Sequence, residues 1–138
     1  MIILIDVKKS DWDFILELRN NFFENFYSQK QPIEISEHYE YLEKQSHNPN
    51  FHHWIIQFND EKIGYVRILN NDVGIMVKKD FHNKGIASQA LQLLEEKAKS
   101  LGLKKLKALV KIENESSKKI FETNNFKLQL YWYEKEIN

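Results

Sequence analysis

The sequence predicts one α/β (α+β) domain built on a central mixed sheet, with an antiparallel N-terminal meander, a parallel pair of strands after it and about four helices. Three observations carry that expectation. Residues 51 to 77 hold three apolar runs separated by Asn- and Asp-rich turns, the pattern of an antiparallel meander. Residues 86 to 101 place Ile86, Ala90, Leu93, Leu94, Ala98 and Leu101 on one helical face. Lys104 to Ile112 then alternates Leu106, Ala108 and Val110 against Lys105 and Lys107. A strand following a crossover helix pairs in parallel with the strand before it.

The elements follow in order. Met1-Ile2-Ile3-Leu4-Ile5 is apolar but stops at Asp6, without a basic segment before it, so a first strand is expected rather than a signal peptide or membrane span. Ser10, with Asp13 three residues on, reads as a capping box for a helix over about 11 to 24, whose inward side holds Trp12, Ile15, Leu16, Arg19 and Phe23. Pro32 and Ser36 frame a second helix over roughly 36 to 46, with Tyr39, Tyr41 and Leu42 inward. The meander follows, then the long helix closed by Gly102, the strand 104 to 112, a last helix from Asn114 to about Asn124, and a last strand from Phe126 to Glu136.

Composition bounds the function. The chain has 138 residues, so one core and one domain, residues 1 to 138, are expected. Twenty basic residues balance twenty acidic ones, which argues against nucleic acid or an anionic membrane as partner. Lysines 97, 99, 104, 105, 107 and 111 are interspersed with Glu95, Glu96 and Glu113 and read as a solvated face. The absence of cysteine excludes disulfides, thiolate metal sites and a cysteine nucleophile, and suits a reducing, cytoplasmic location. The histidines lack ligand spacing, so no metal is expected, and His38, His47, His52 and His53 read as surface or edge-strand residues.

One segment points to chemistry. Residues 77 to 88 join the third meander strand to the long helix, with Gly85 and Ala87 small where that helix begins. Free backbone N–H groups and the positive end of the helix dipole there form a physical basis for holding a pyrophosphate, although many ordinary helices begin the same way. A single glycine excludes the Rossmann and NTPase phosphate loops, which need two or three.

These residues resemble the GNAT superfamily of acetyl-CoA-dependent N-acetyltransferases. Val77, Gly85 and Ala87 match the family pattern, with His82 in place of Arg or Gln and Lys79 in place of Pro; Asn114, Ser117, Phe121, Glu122, Asn125 and Phe126 follow a second family segment. The resemblance implies a GNAT-like fold with an acetyl-CoA cleft between splayed parallel strands. Ile75, Met76 and Val77 would bind the pantetheine arm, and His82, Asn83, Lys84, Gly85, Ile86, Ala87 and Ser88 the pyrophosphate. Asn114 would contact the pantetheine amide, with Ser117 and Phe121 beside it. Acetyl-CoA is then a cosubstrate, and a primary amine the small-molecule acceptor.

Such a site needs an oxyanion donor, a route for the ammonium proton and a proton for the leaving thiolate. A backbone N–H near Met76 or Val77 serves the first. Asp72, which by itself reads as a turn residue, sits where some relatives order a water that deprotonates the amine. Phe121 stands where many relatives carry a proton-donating Tyr, so the acid is expected to be Tyr131 or Tyr133, or water. Leu18-Arg19-Asn20 and His53-Trp54-Ile55 look similar to the relatives that acetylate amino sugars linked to nucleotides, for which Arg67 would supply a cationic fork and Tyr65, Tyr131 and Trp132 aromatic walls. The alternatives are acetylation of a protein N-terminus or a small polyamine, or a non-catalytic acyl-CoA-binding module. A homodimer is compatible with each of them.

Overall fold

The computed structural model describes residues 1–22 and 31–138. The sheet consists of β1 (Ile2–Asp6), β2 (Phe51–Phe58), β3 (Glu61–Leu69) and β4 (Asp72–Val77), antiparallel in the order β1-β2-β3-β4. Among the described residues four α-helices accompany it: α1 (Trp12–Phe22), α2 (Ile35–Gln45), α3 (Ile86–Ser100) and α4 (Glu115–Thr123). The last turn expected for the first helix, including Phe23, lies outside the described residues.

Strand alternation sends side chains to two faces, and each face has its own core. Phe51, Ile55, Tyr65 and Met76 meet Trp12, Ile15, Leu18 and Leu42 of α1 and α2. On the other face Trp54, Ile56, Val66, Ile68, Val73 and Val77 meet Ile86, Ala90, Leu91, Leu94 and Ala98 of α3 and Phe121 of α4. The meander turns fold through paired left-handed residues, Asn59-Asp60 and Asn70-Asn71. Asn and Asp tolerate that region better than other side-chain-bearing residues, which explains their use there.

Several expectations change. The start of α1 is held by Asp11 rather than Ser10: its buried carboxylate accepts the Lys8 N–H at 2.8 Å and pairs with the Lys62 ammonium. His38 is a core residue, not a surface one, and its Nε2–H donates to the Trp12 carbonyl at 2.7 Å. Its Nδ1 is buried without a partner, so the ring stays neutral, in line with burial pushing its pKa down. His52 and His53 lie on β2, an inner strand, and both are half-buried.

Residues 104–112 keep the expected alternation, with Leu106, Ala108 and Val110 turned toward the core. They touch β4 through a single parallel bridge, Asp72 to Lys107, and then diverge. The last expected strand does not form: 127–138 carry no helix or strand, and Leu128, Leu130, Tyr131, Trp132 and Tyr133 are exposed. Period-two sequence favours extended chain, but a strand also needs a ladder partner. Here 126–136 joins no sheet edge.

Candidate active site

The backbone pattern of β4 makes the cleft. Lys78 N–H donates to the Ile63 carbonyl, so the antiparallel register spends the main-chain groups of Met76, Gly74 and Asp72 on β3. Those of Val73, Ile75 and Val77 face the opposite edge. Val73 N–H finds the Lys107 carbonyl at 2.8 Å, and Lys107 N–H the Asn71 carbonyl at 2.9 Å. Beyond that bridge the strands part, leaving the outward edge of Ile75 and Val77 facing the gap. Of the three residues expected to hold a pantetheine arm, Ile75 presents its main chain to it and Val77 its N–H, the Val77 carbonyl being taken by His82, while Met76 is spent on β3.

The chain then passes through a 3-10 turn, Lys79–Phe81, into the start of α3. Asn83 and Gly85 both have positive φ, 61° and 75°, and Gly85 caps the helix with its carbonyl accepting the Gln89 N–H at 3.1 Å. A Cβ placed on Gly85 would meet nothing within 4 Å. Open space, unspent N–H groups and the positive helix end therefore coincide over residues 85 to 88 and fit a pyrophosphate. Lys84 lies over the Phe81 ring, while Ser88 Oγ accepts a hydrogen bond from Asn124 Nδ2 at 3.0 Å and so ties α3 to α4.

His82 turns away from that cradle: its Nε2–H donates to the Val77 carbonyl at 2.7 Å and its ring lies 5.6 Å from Phe22. The role that fits this contact is bracing the turn. Asn114 caps α4, with Oδ1 accepting the Ser117 N–H at 3.2 Å, so its Nδ2 is the group left for a ligand carbonyl. Phe121 is buried edge-to-face on Phe126, 5.0 Å between centroids, and offers surface but no proton.

On the α1/α2 face, Arg67 reaches over Gly74 to Asp72, donating to its carbonyl at 2.8 Å and to Oδ2 at 3.1 Å. Asp72 Oδ1 is buried without a hydrogen-bond partner. Tyr65 is buried, and its hydroxyl bonds His53 Nδ1 at 2.9 Å. Burial pushes the Tyr65 phenol up and the His53 ring down to about 4, so the hydroxyl keeps its proton and the imidazole accepts it. Arg67, Tyr65 and Asp72 are thus gathered near one another, whereas Tyr131, Trp132 and Tyr133 lie on the exposed C-terminal segment. Sequence reasoning missed the His53–Tyr65 pair; its only signal was that both positions face the same side in adjacent strands.

Known structures share this fold. Over 92% of this chain and 88% of its own length, a crystallised domain from Methanocaldococcus jannaschii superposes with a TM-score of 0.81 at 28% identity. An N-acetyltransferase from Staphylococcus aureus Mu50 gives 0.76 at 28% identity, covering 92% and 84% of the two chains. A spermidine N-acetyltransferase from Vibrio cholerae, solved with CoA and spermine, gives 0.78 over 88% and 78% at 21% identity, a likeness of fold. The uncharacterized protein MJ1062 of M. jannaschii is 29% identical over 91% of this chain, which spans only 28% of that relative's length. The model of the acetyltransferase (GNAT) family matches residues 12–126, taking in α1, the meander, the open β4 edge and both helices that flank it. The chain belongs to that family of acetyl-CoA-dependent acetyltransferases.

Proposed function

We propose that this domain transfers the acetyl group of acetyl-CoA to a primary amine by direct attack in a ternary complex. The observation that carries this is the outward edge of Ile75 and Val77 running into the left-handed turn and free N–H groups at the start of α3. In the step, the amine nitrogen bonds to the thioester carbonyl carbon, the C–S bond breaks, the ammonium proton leaves and the thiolate takes up a proton. Val77 N–H lies on the edge where the developing oxyanion needs a donor. Asp72, held by Arg67 and with its buried Oδ1 unpartnered, is the carboxylate we assign to receive the ammonium proton through water. With Phe121 buried and Tyr131 and Tyr133 exposed, water protonates the thiolate.

The acceptor is a small-molecule amine. An amino sugar linked to a nucleotide remains our finer reading, supported by Arg67 beside Tyr65, though without the aromatic walls expected from Tyr131 and Trp132. Polyamine acetylation, the activity named for the Vibrio protein, is its rival. A non-catalytic acyl-CoA-binding module is the reading that Phe121 favours. Release of thiol from acetyl-CoA with an amine panel tests all of them: stabilisation by CoA without turnover on any amine establishes the binding module, and turnover on spermidine alone removes the sugar acceptor.

A further inference from the structure

Among the described residues, Arg19 is a cation without a carboxylate partner. It lies half-buried on α1, with its guanidinium 5.3 Å from the centroid of the Tyr41 ring. Arg67 is neutralised by Asp72, but no carboxylate pairs with Arg19 among the described residues. Burial and the charge of Arg67 both push Arg19 below its ordinary pKa, the mark of a charge held at a cost. The surroundings are aromatic: Tyr41 faces Phe51 at 6.3 Å, Phe51 faces His53 at 4.8 Å, and His53 holds Tyr65. On this face Arg67 therefore has an acid partner and Arg19, among the described residues, has none. Its guanidinium fork matches carboxylate or phosphate oxygens, and the ring beneath it fixes its plane.

We propose that the amine acceptor carries an anionic group, a carboxylate or a phosphate, and that Arg19, seated on Tyr41 and backed by Arg67, binds it. The inference rests on the acetyltransferase reading and narrows its substrate class. A polyamine would bring further positive charge to an already cationic wall, whereas a sugar nucleotide, an amino acid or a phosphorylated amine would neutralise it.

The test uses the CoA-saturated chain with matched amines: O-phosphoethanolamine against ethanolamine, β-alanine against n-propylamine, and spermidine. The anionic member of a pair should raise Tm more and give the higher kcat/KM, and whether phosphate or carboxylate wins identifies the group. Arg19→Gln should lower the anionic-to-neutral ratio of kcat/KM about tenfold, or about 1.4 kcal/mol, with CoA affinity reporting that it is folded; Arg19→Lys should recover part of the ratio. Equal response to both members of each pair, preference for spermidine, or an undiminished ratio in Arg19→Gln overturns the proposal. Failure of the parent reading looks different: CoA gives no stabilisation and no amine releases thiol, and the substrate inference then falls with it.

Discussion

The Arg67 guanidinium lies across Gly74, its register partner on β4, so closely that a Cβ there would stand 3.0 Å from Arg67 Cζ. The missing side chain lets Arg67 cross the strand and reach Asp72. Gly74→Ala should push the guanidinium aside and release Asp72, while the flexible tip limits the loss of fold stability to about 1 kcal/mol or less. Acceptor kcat/KM is expected to drop about tenfold, the scale of one lost charge-assisted hydrogen bond, with CoA affinity little changed. Unaltered acceptor kinetics would separate this pair from the acceptor site.

Asp11 ties two segments: its own turn, through the Lys8 amide, and β3, through Lys62. Burial alone would raise its carboxyl pKa, but Lys62 and the Lys8 N–H outweigh burial and hold it below the ordinary value. Asp11→Ala should cost roughly 2 kcal/mol by urea titration, because it removes a charge-assisted bond to the Lys8 amide and the pairing with Lys62 and so loosens the start of α1. A loss within the scatter of surface substitutions would mean that water replaces the carboxylate.

Acid should weaken the fold in a window set by His53. Its folded pKa is about 4 against an ordinary 6.5, so between those values the unfolded chain binds more protons than the folded one. Stability is therefore fully present above pH 6.5 and falls as pH drops toward 4. Asp6 and His52, which act on His53 in opposite senses, shape the slope; His38, also lowered by burial, adds to it. His53→Gln keeps a partner for Tyr65 without the titration, so Tm should depend less on pH in that window. An identical slope would assign the acid sensitivity elsewhere.

The elements that sequence predicts well are those whose partners are implied by their own period. The inward stripe of α3, at Ile86, Ala90, Leu94 and Ala98, is buried as expected, and the three meander strands pair in order. His38 was opaque because a histidine on a polar helix looks solvated until the Trp12 carbonyl appears beside it. The cap was misplaced because Ser10 and Asp11 are adjacent and both suit the role; Lys62, 51 residues away, decides it. The cleft was legible as a segment, through Val77 and Gly85, but not as a hydrogen-bond pattern. That pattern depends on which edge of β4 each residue faces, and hence on register. The segment 126–136 shows the converse, strand-like composition without an edge to pair on.

Water as proton source makes a prediction for the C-terminal tyrosines. Tyr131 and Tyr133 are 75% and 89% exposed, so the double variant Tyr131→Phe/Tyr133→Phe should keep kcat within about twofold of the parent. A loss of a hundredfold or more, the scale of a missing general acid, would return one of them to the reaction.

Gly85 separates backbone strain from obstruction. Its φ of 75° strains any side-chain-bearing residue, while the space beside it is empty. Gly85→Ala should cost about 1 kcal/mol of stability through the left-handed backbone alone, and Gly85→Asn less, because Asn adopts that region more readily. If the pyrophosphate of acetyl-CoA sits over residues 85 to 88, both substitutions place a Cβ in its path. Asn can then recover stability without recovering affinity. Both variants should bind CoA at least tenfold more weakly, about 1.4 kcal/mol, measured by calorimetry on folded protein. Affinity that tracks stability, recovering in Gly85→Asn, would show that the glycine serves the turn and that the anion rests elsewhere along the helix start.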